Sequence, residues 1–150
     1  MRYTLFFCLI VWAVVSCQHV QVYEKHVDLP AHEWRKNQNA VVPFQITDSV
    51  DHQLYLVVRH TEQFAFNRLL VHLLIQDSVK KTITALKINA PLTDSLGNWA
   101  GLPMDDLWYT RIRVQPRIFL KPGRYRFVLQ QRMKEDTLFN LLNVGVALDK

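Results

Sequence analysis

The chain has 150 residues, 49% of them hydrophobic and 21% charged, with a formal net charge of +5. That balance fits one folded domain and argues against a disordered chain. The basic residues are spread along the sequence rather than clustered, which argues against nucleic-acid binding.

The N-terminus carries the sharpest pattern. Met1-Arg2-Tyr3-Thr4 holds one positive charge, Leu5–Val15 is an unbroken run of eleven apolar residues, and Ser16-Cys17 follows. This is the charged, apolar and small-residue order of a secretory signal. The run is too short to span a membrane as a helix, which takes about 20 apolar residues. Val14-Val15-Ser16-Cys17 resembles a bacterial lipobox. The resemblance implies a diacylglycerol on the Cys17 thiol and cleavage just before it. The expected organisation is a signal peptide over residues 1–16 and one lipid-anchored domain over 17–150. The two cysteines, Cys8 and Cys17, both precede the body of the chain, so a disulfide framework and a thiolate metal site are excluded for the fold. Gln18 and His19 follow Cys17, without the Asp that retains some lipoproteins in the inner membrane. By that analogy the outer membrane is expected, with the domain facing the periplasm.

From Val20 onward the repeat is two residues rather than 3.6. The opening strand is expected over Val20–Leu29. Val42, Phe44 and Ile46 then alternate with Val41, Pro43 and Gln45. In Gln53–Thr61 both alternating sets are largely apolar, which predicts a central strand; Arg68–Asp77 reads the same way. Lys81–Asn89 is a strand whose register the pattern does not fix. Leu107–Val114 puts Trp108, Thr110, Ile112 and Val114 on one face, with Arg111 and Arg113 opposite. In Arg124–Met133, Tyr125, Phe127, Leu129 and Met133 face in while Arg124, Arg126, Gln130 and Arg132 face out. Leu141–Leu148 turns Leu142, Val144, Val146 and Leu148 inward, with Gly145 opposite at a close approach or bulge. Lys121-Pro122-Gly123 is a tight turn. Asp48–Asp51, Thr61–Asn67 and Asn89–Asp106 read as loops, and Glu135–Leu142 has room for one helical turn. Seven or eight such strands predict a single all-β domain, an antiparallel β-sandwich, with a closed barrel as the alternative.

Catalytic signals are missing. The body has no cysteine nucleophile, no G-x-S-x-G elbow, no phosphate loop and no dinucleotide turn. The expectation is therefore no enzyme, no catalytic residue and no cofactor. The six histidines, His19, His26, His32, His52, His60 and His72, show no metal-ligand spacing, and no metal is expected. The outward arginines Arg111, Arg113, Arg124, Arg126 and Arg132 could form one basic patch or serve as solvated strand faces. The segment Asn89–Asp106 is the most distinctive. Gly97 and Gly101 flank Trp99, and Asp94 precedes them. One reading makes Trp99, Asp94, Gly97 and Gly101 a partner-binding loop with the indole as anchor. The other folds Trp99 back to plug the sandwich end while Asp94 closes a turn. A calcium site from Asp94, Asp105 and Asp106 would have oxygen ligands, but the spacing matches no calcium loop.

Motifs in order along the chain resemble one family. They are Cys17 in the lipobox, Trp34, Phe44-x-Ile46-x-Asp48, Tyr55-x-Val57-x-Arg59 and Phe64-x-Phe66-Asn67. Leu92-x-Asp94-x-x-Gly97-x-Trp99-x-Gly101, Pro122-Gly123-x-Tyr125 and Asn143-Val144-Gly145 complete the set. The chain resembles the gliding-motility GldH lipoproteins of Bacteroidetes, departing from the pattern at Pro103. The resemblance implies a non-catalytic envelope lipoprotein associated with gliding and with type IX secretion. Its expected partners are the membrane, through the acyl chains, and other envelope proteins, with no nucleic acid. The alternative is a lipid-anchored sandwich that binds a carbohydrate or other small ligand.

Overall fold

The computed structural model describes residues 23–150; the signal segment 1–16 and Cys17 lie outside the described residues. The described chain forms β1 (Tyr23–Asp28), β2 (Glu33–Arg35), β3 (Ala40–Ile46), β4 (Asp51–Thr61), β5 (Arg68–Gln76) and β6 (Thr82–Pro91). It continues as β7 (Leu102–Met104), β8 (Leu107–Phe119), β9 (Gly123–Gln131), β10 (Thr137–Phe139) and β11 (Leu141–Asp149). One 3-10 turn at Pro30–His32 interrupts the strands.

Eight strands are long, and their pairing is nested. β5 pairs with β6, β4 with β8, β3 with β9, and β1 with β11, all antiparallel. The chain is thus one long hairpin, turned at residues 77–81, whose arms pair from inside to outside. Two further pairings, β4 with β11 and β5 with β9, roll that hairpin into two sheets. One sheet runs β1-β11-β4-β8-β7 and the other β3-β9-β5-β6. This is the jelly-roll form of the antiparallel sandwich. The three remaining strands have three residues each: β7 extends an edge, while β2 and β10 form a separate ribbon.

The two-residue repeat produces the core directly. Val42, Phe44, Ile46, Leu69, Val71, Leu73, Ile75, Phe127 and Leu129 of one sheet are buried against Leu54, Leu56, Val58, Val144, Val146 and Leu148 of the other. Each such side chain stabilises the fold by roughly 1.5–3 kcal/mol relative to exposure. Trp34 on β2 stands opposite Leu138 on β10, and both are fully buried, closing one end of the sandwich. The Trp34 Nε1–H donates to the Gln38 carbonyl at 2.9 Å, so the indole enters the core with its polar atom satisfied.

Several expectations are refined. Asn89–Asp106 is more than a loop: Thr93 bridges Trp99 in a small hairpin, and β7 follows. Glu135–Leu142 holds β10 rather than a helical turn, because Leu138 is needed inward beside Trp34. Leu142 falls at a bulge between Leu141 and Asn143, so it is only half-buried while Leu141 takes the core position. The outward arginines do not share one patch. Arg111 and Arg113 lie on the outside of the five-stranded sheet, and Arg124 and Arg126 on the outside of the other.

Gly145 marks a close approach, as its position predicts. A Cβ there would meet the Lys25 carbonyl oxygen at 2.3 Å and the His26 Cα at 2.7 Å. Both are backbone atoms of β1, so relief requires moving a strand. Gly145→Ala should therefore cost about 1–3 kcal/mol. Thermal unfolding should show a midpoint lower by roughly 5–10 °C; an unchanged midpoint would mean that β1 does not sit this tightly on β11.

Candidate functional site

The strand connectivity creates two distinct poles. The described chain enters at Tyr23, which pairs with Leu148, and the turns 47–50, 77–81 and 120–122 lie at that same entry pole. The longer connections 29–39, 62–67, 92–106 and 132–140 lie at the far pole. The distinctive segment 92–106 is therefore a far-pole feature.

Its geometry follows from three short-range devices. Asp94 Oδ1 accepts hydrogen bonds from the Leu96 and Asn98 backbone N–H groups, each at 2.9 Å. The Asp94 N–H donates to the Asn98 carbonyl at 2.8 Å. Hydrogen bonds from Asn98, first through its backbone and then its side chain, hold the Asp94 carboxyl below the usual range. Gly97 supplies the positive φ of 86° that the turn requires. Gly101, at φ 107°, lets the returning chain press onto β8: a Cβ would lie 2.2 Å from the Tyr109 carbonyl oxygen. There Thr110 Oγ1 donates to the Ala100 carbonyl at 2.7 Å.

These constraints turn Trp99 inward. Its ring lies 4.5 Å from the His60 ring, and His60 in turn lies 5.4 Å from Phe64. Trp99 is half-buried against the core while Leu96, at the tip of the turn, is 85% exposed. Of the four loop residues singled out in the sequence, Asp94 and Gly97 shape the turn, Gly101 seats it, and Trp99 buttresses it from beneath. The outward apolar side chain is Leu96, which sequence reasoning passed over. A signal existed: it is the apolar residue between Asp94 and Gly97, where turn chemistry favours polar side chains. Leu102 and Met104 on β7 and Phe139 on β10 are also exposed at this pole.

His60 is the buried polar group beneath the loop. Its Nδ1 lies 2.9 Å from the Thr61 carbonyl oxygen, which assigns the ring proton to Nδ1. Burial pushes its pKa down, only partly offset by that backbone hydrogen bond. Asp105 and Asp106 line a separate shallow groove with Thr61, Glu62 and Gln63. Among the described residues no three His, Cys, Asp or Glu side chains gather as metal ligands would.

The outer face of the five-stranded sheet carries a second constellation. Arg59 lies 5.4 Å over the Tyr109 ring and Arg111 4.1 Å over the Tyr55 ring. Tyr109 Oη donates to Glu24 at 2.7 Å, and Arg111 pairs with Asp149 at 2.6 Å. Burial first, and then the Glu24 hydrogen bond and charge, push the Tyr109 hydroxyl up to about 12. The aromatic faces are thus occupied by guanidinium groups, and the charges are largely paired. The arrangement packs this face of the sheet.

The profile of one protein family, described as GldH lipoprotein, matches residues 21–148. No curated protein matches the chain. Among solved structures, the chain is similar to a family 35 carbohydrate-binding module from Clostridium thermocellum in its native structure. The identity is 9% and the TM-score 0.36, over 83% of this chain and 90% of that one. A likeness at that level carries no argument about ligands.

Burial of His60 sets a pH dependence. Above about pH 6.5, its ordinary value, the ring is neutral in both folded and unfolded chains. Below that, the unfolded chain binds a proton that the folded chain binds less readily, so stability falls as pH falls toward the lowered folded value. Urea unfolding at pH 7.5 and pH 5 should show this loss in the wild type. His60→Phe should reduce it; an identical loss in the variant would assign the effect to other groups.

Proposed function

The chain belongs to the GldH lipoprotein family, and on that premise we propose that it is a non-catalytic envelope lipoprotein of the gliding-motility and type IX secretion apparatus. Acyl chains on Cys17 hold it at the outer membrane, with the sandwich facing the periplasm, and the far pole meets another envelope protein. The observation that carries this reading is the family match, which begins four residues beyond Cys17. The signal-like run before Cys17 supports it, as does the absence of any other thiol in the body. Among the described residues no helix is long and apolar enough to cross a membrane.

The far pole suits a protein partner. Leu96, Leu102, Met104 and Phe139 give it separate exposed apolar points. Its connecting segments carry seven acidic side chains against four Lys and Arg. A polar surface set with apolar anchors is the usual composition of a reversible interface. The tyrosines of the outer sheet face and Trp99 favour assembly over carbohydrate binding, since sugar stacking needs open ring faces. Arg111 and Arg59 cover Tyr55 and Tyr109, and Trp99 packs against His60.

Radioactive palmitate should label the wild-type protein, and Cys17→Ala should abolish the label and release the chain from the membrane fraction. An unlabelled wild type would remove the anchor from this reading. At the far pole, Leu96→Asp should reduce recovery of a cross-linked envelope partner at unchanged melting temperature. Trp99→Ala should instead destabilise the fold by about 2 kcal/mol, roughly half the cost of removing a fully buried Trp. Partner recovery that survives Leu96→Asp would place the contact elsewhere.

A further inference from the structure

The entry pole differs from the far pole in charge and in what it exposes. Its turns carry Lys80, Lys81 and Lys121, all exposed, and the last residue, Lys150, lies beside them. Against these stand Asp48 and Asp77, both engaged, and the exposed Asp51 that opens β4. Asp48 pairs with Lys150 at 2.6 Å, which lowers its pKa first among the causes, and lies 3.1 Å from buried His52. Asp77 Oδ1 accepts the Val79 and Lys81 backbone N–H groups at 3.0 and 2.9 Å. Arg117, near the end of β8, is exposed as well. This pole therefore presents unpaired lysines, while the far-pole connections are acidic.

Apolar side chains stand among these cations. Val79 sits at the tip of the turn between β5 and β6 and is 77% exposed; Phe119 is 55% exposed at the end of β8. Val50 is exposed next to Asp51, the residue that pairs with Phe119. The turn holding Val79 is set rather than loose. Lys80 takes a positive φ of 65°, and the Asp77 hydrogen bonds clamp the turn around it. Lysine heads around protruding Val and Phe are the composition of a surface that lies against anionic headgroups, with the apolar tips reaching below them.

The position of Cys17 points the same way. Six residue steps separate Cys17 from Tyr23, and a chain of that length spans at most about 20 Å. Acyl chains on Cys17 would therefore keep the entry pole, not the far pole, beside the bilayer.

We propose that the entry pole is a membrane-docking surface, in which Lys80, Lys81 and Lys121 meet anionic phospholipid headgroups while Val79 and Phe119 enter the interface. The pole's own affinity stands on its charge and apolar tips; its orientation in the cell rests on the acylation of Cys17 proposed above. Docking fixes the sandwich upright, with Leu96 and its neighbours pointing away from the lipid.

The test separates the two claims. The chain of residues 17–150 carrying Cys17→Ser has no acyl group, so any vesicle binding belongs to the pole. It should sediment with vesicles of phosphatidylglycerol and phosphatidylcholine, not with phosphatidylcholine alone, and should be released by salt. Replacing Lys80, Lys81 and Lys121 by Gln should weaken binding roughly 100-fold, at about 1 kcal/mol per basic residue near an anionic surface. Val79→Ser with Phe119→Ser should also weaken it, and Leu96→Ser should leave it unchanged. These are exposed positions, and an unaltered melting temperature confirms that each variant is folded. Equal sedimentation with both vesicle types, or full binding by the Lys-to-Gln variant, overturns the proposal. Palmitate labelling reports on Cys17 independently: a labelled protein whose pole ignores phosphatidylglycerol defeats the docking surface alone, and an unlabelled one whose pole binds defeats the anchor alone.

Discussion

The centre of the five-stranded sheet is buried on both faces although only one face has another sheet against it. Val58, Val144 and Val146 face the core, while Val57, Gly145 and Ala147 are also buried on the outside. A two-faced strand pair needs a second cover. Here the cover consists of long polar side chains laid flat: Arg59 over Tyr109, Arg111 over Tyr55, tied down by Glu24 and Asp149. Their stems and rings supply the apolar contact and their heads reach solvent or a partner charge. The small residues of β11 are what let this layer lie low, and the closeness of β1 to Gly145 follows from the same requirement.

The jelly-roll connectivity also divides labour between the two ends. Short turns gather at the entry pole, where chain entry, the last residue and the lysine-bearing turns coincide. Long connections gather at the far pole, where there is chain enough to build a small hairpin tipped by Leu96. A turn of five residues can display a few side chains but has too little chain to fold upon itself. A connection of fifteen can fold upon itself, and this one spends Asp94, Gly97, Gly101 and Trp99 on doing so. The acidic, apolar-studded end and the basic end thus arise from one topology.

Much of this was legible in the sequence, and the residues show why. Alternation in Val42-Phe44-Ile46 and Tyr125-Phe127-Leu129 gave the inward faces directly, because one side of each strand is buried and the other is wetter. The doubly apolar Gln53–Thr61 segment marked the centre of its sheet, and β4 lies between β11 and β8. Two kinds of information were hidden. Bulges shift the register without any composition signal, as at Leu142. Pairing between distant strands decides which outward residues share a face, so Arg111 and Arg124 separate onto opposite sides. Buried polar residues were missed for a related reason. Gln131 occupies a core position because its Nε2 donates to the Glu135 carbonyl at 3.1 Å and its Oε1 accepts the Met133 N–H at 2.9 Å, a contact set that only the folded loop creates. The family motifs identified the 92–101 segment, while the outward direction of Leu96 depended on backbone geometry that a motif does not encode.

Nested pairing has a consequence for the order in which such a chain can fold. β1, first of the described strands, has its ladder partner in β11, the last. β11 is also what joins β1 to the rest of the sheet through β4. A chain that emerges N-terminus first therefore cannot join β1 to its sheet until β11 has emerged. Until then Val27 and the inner face of β4 lack the neighbours that bury them. Partial folding gains little when the stabilising contacts are this distant in sequence. The topology lets an emerging chain close this sheet only once β11 has arrived.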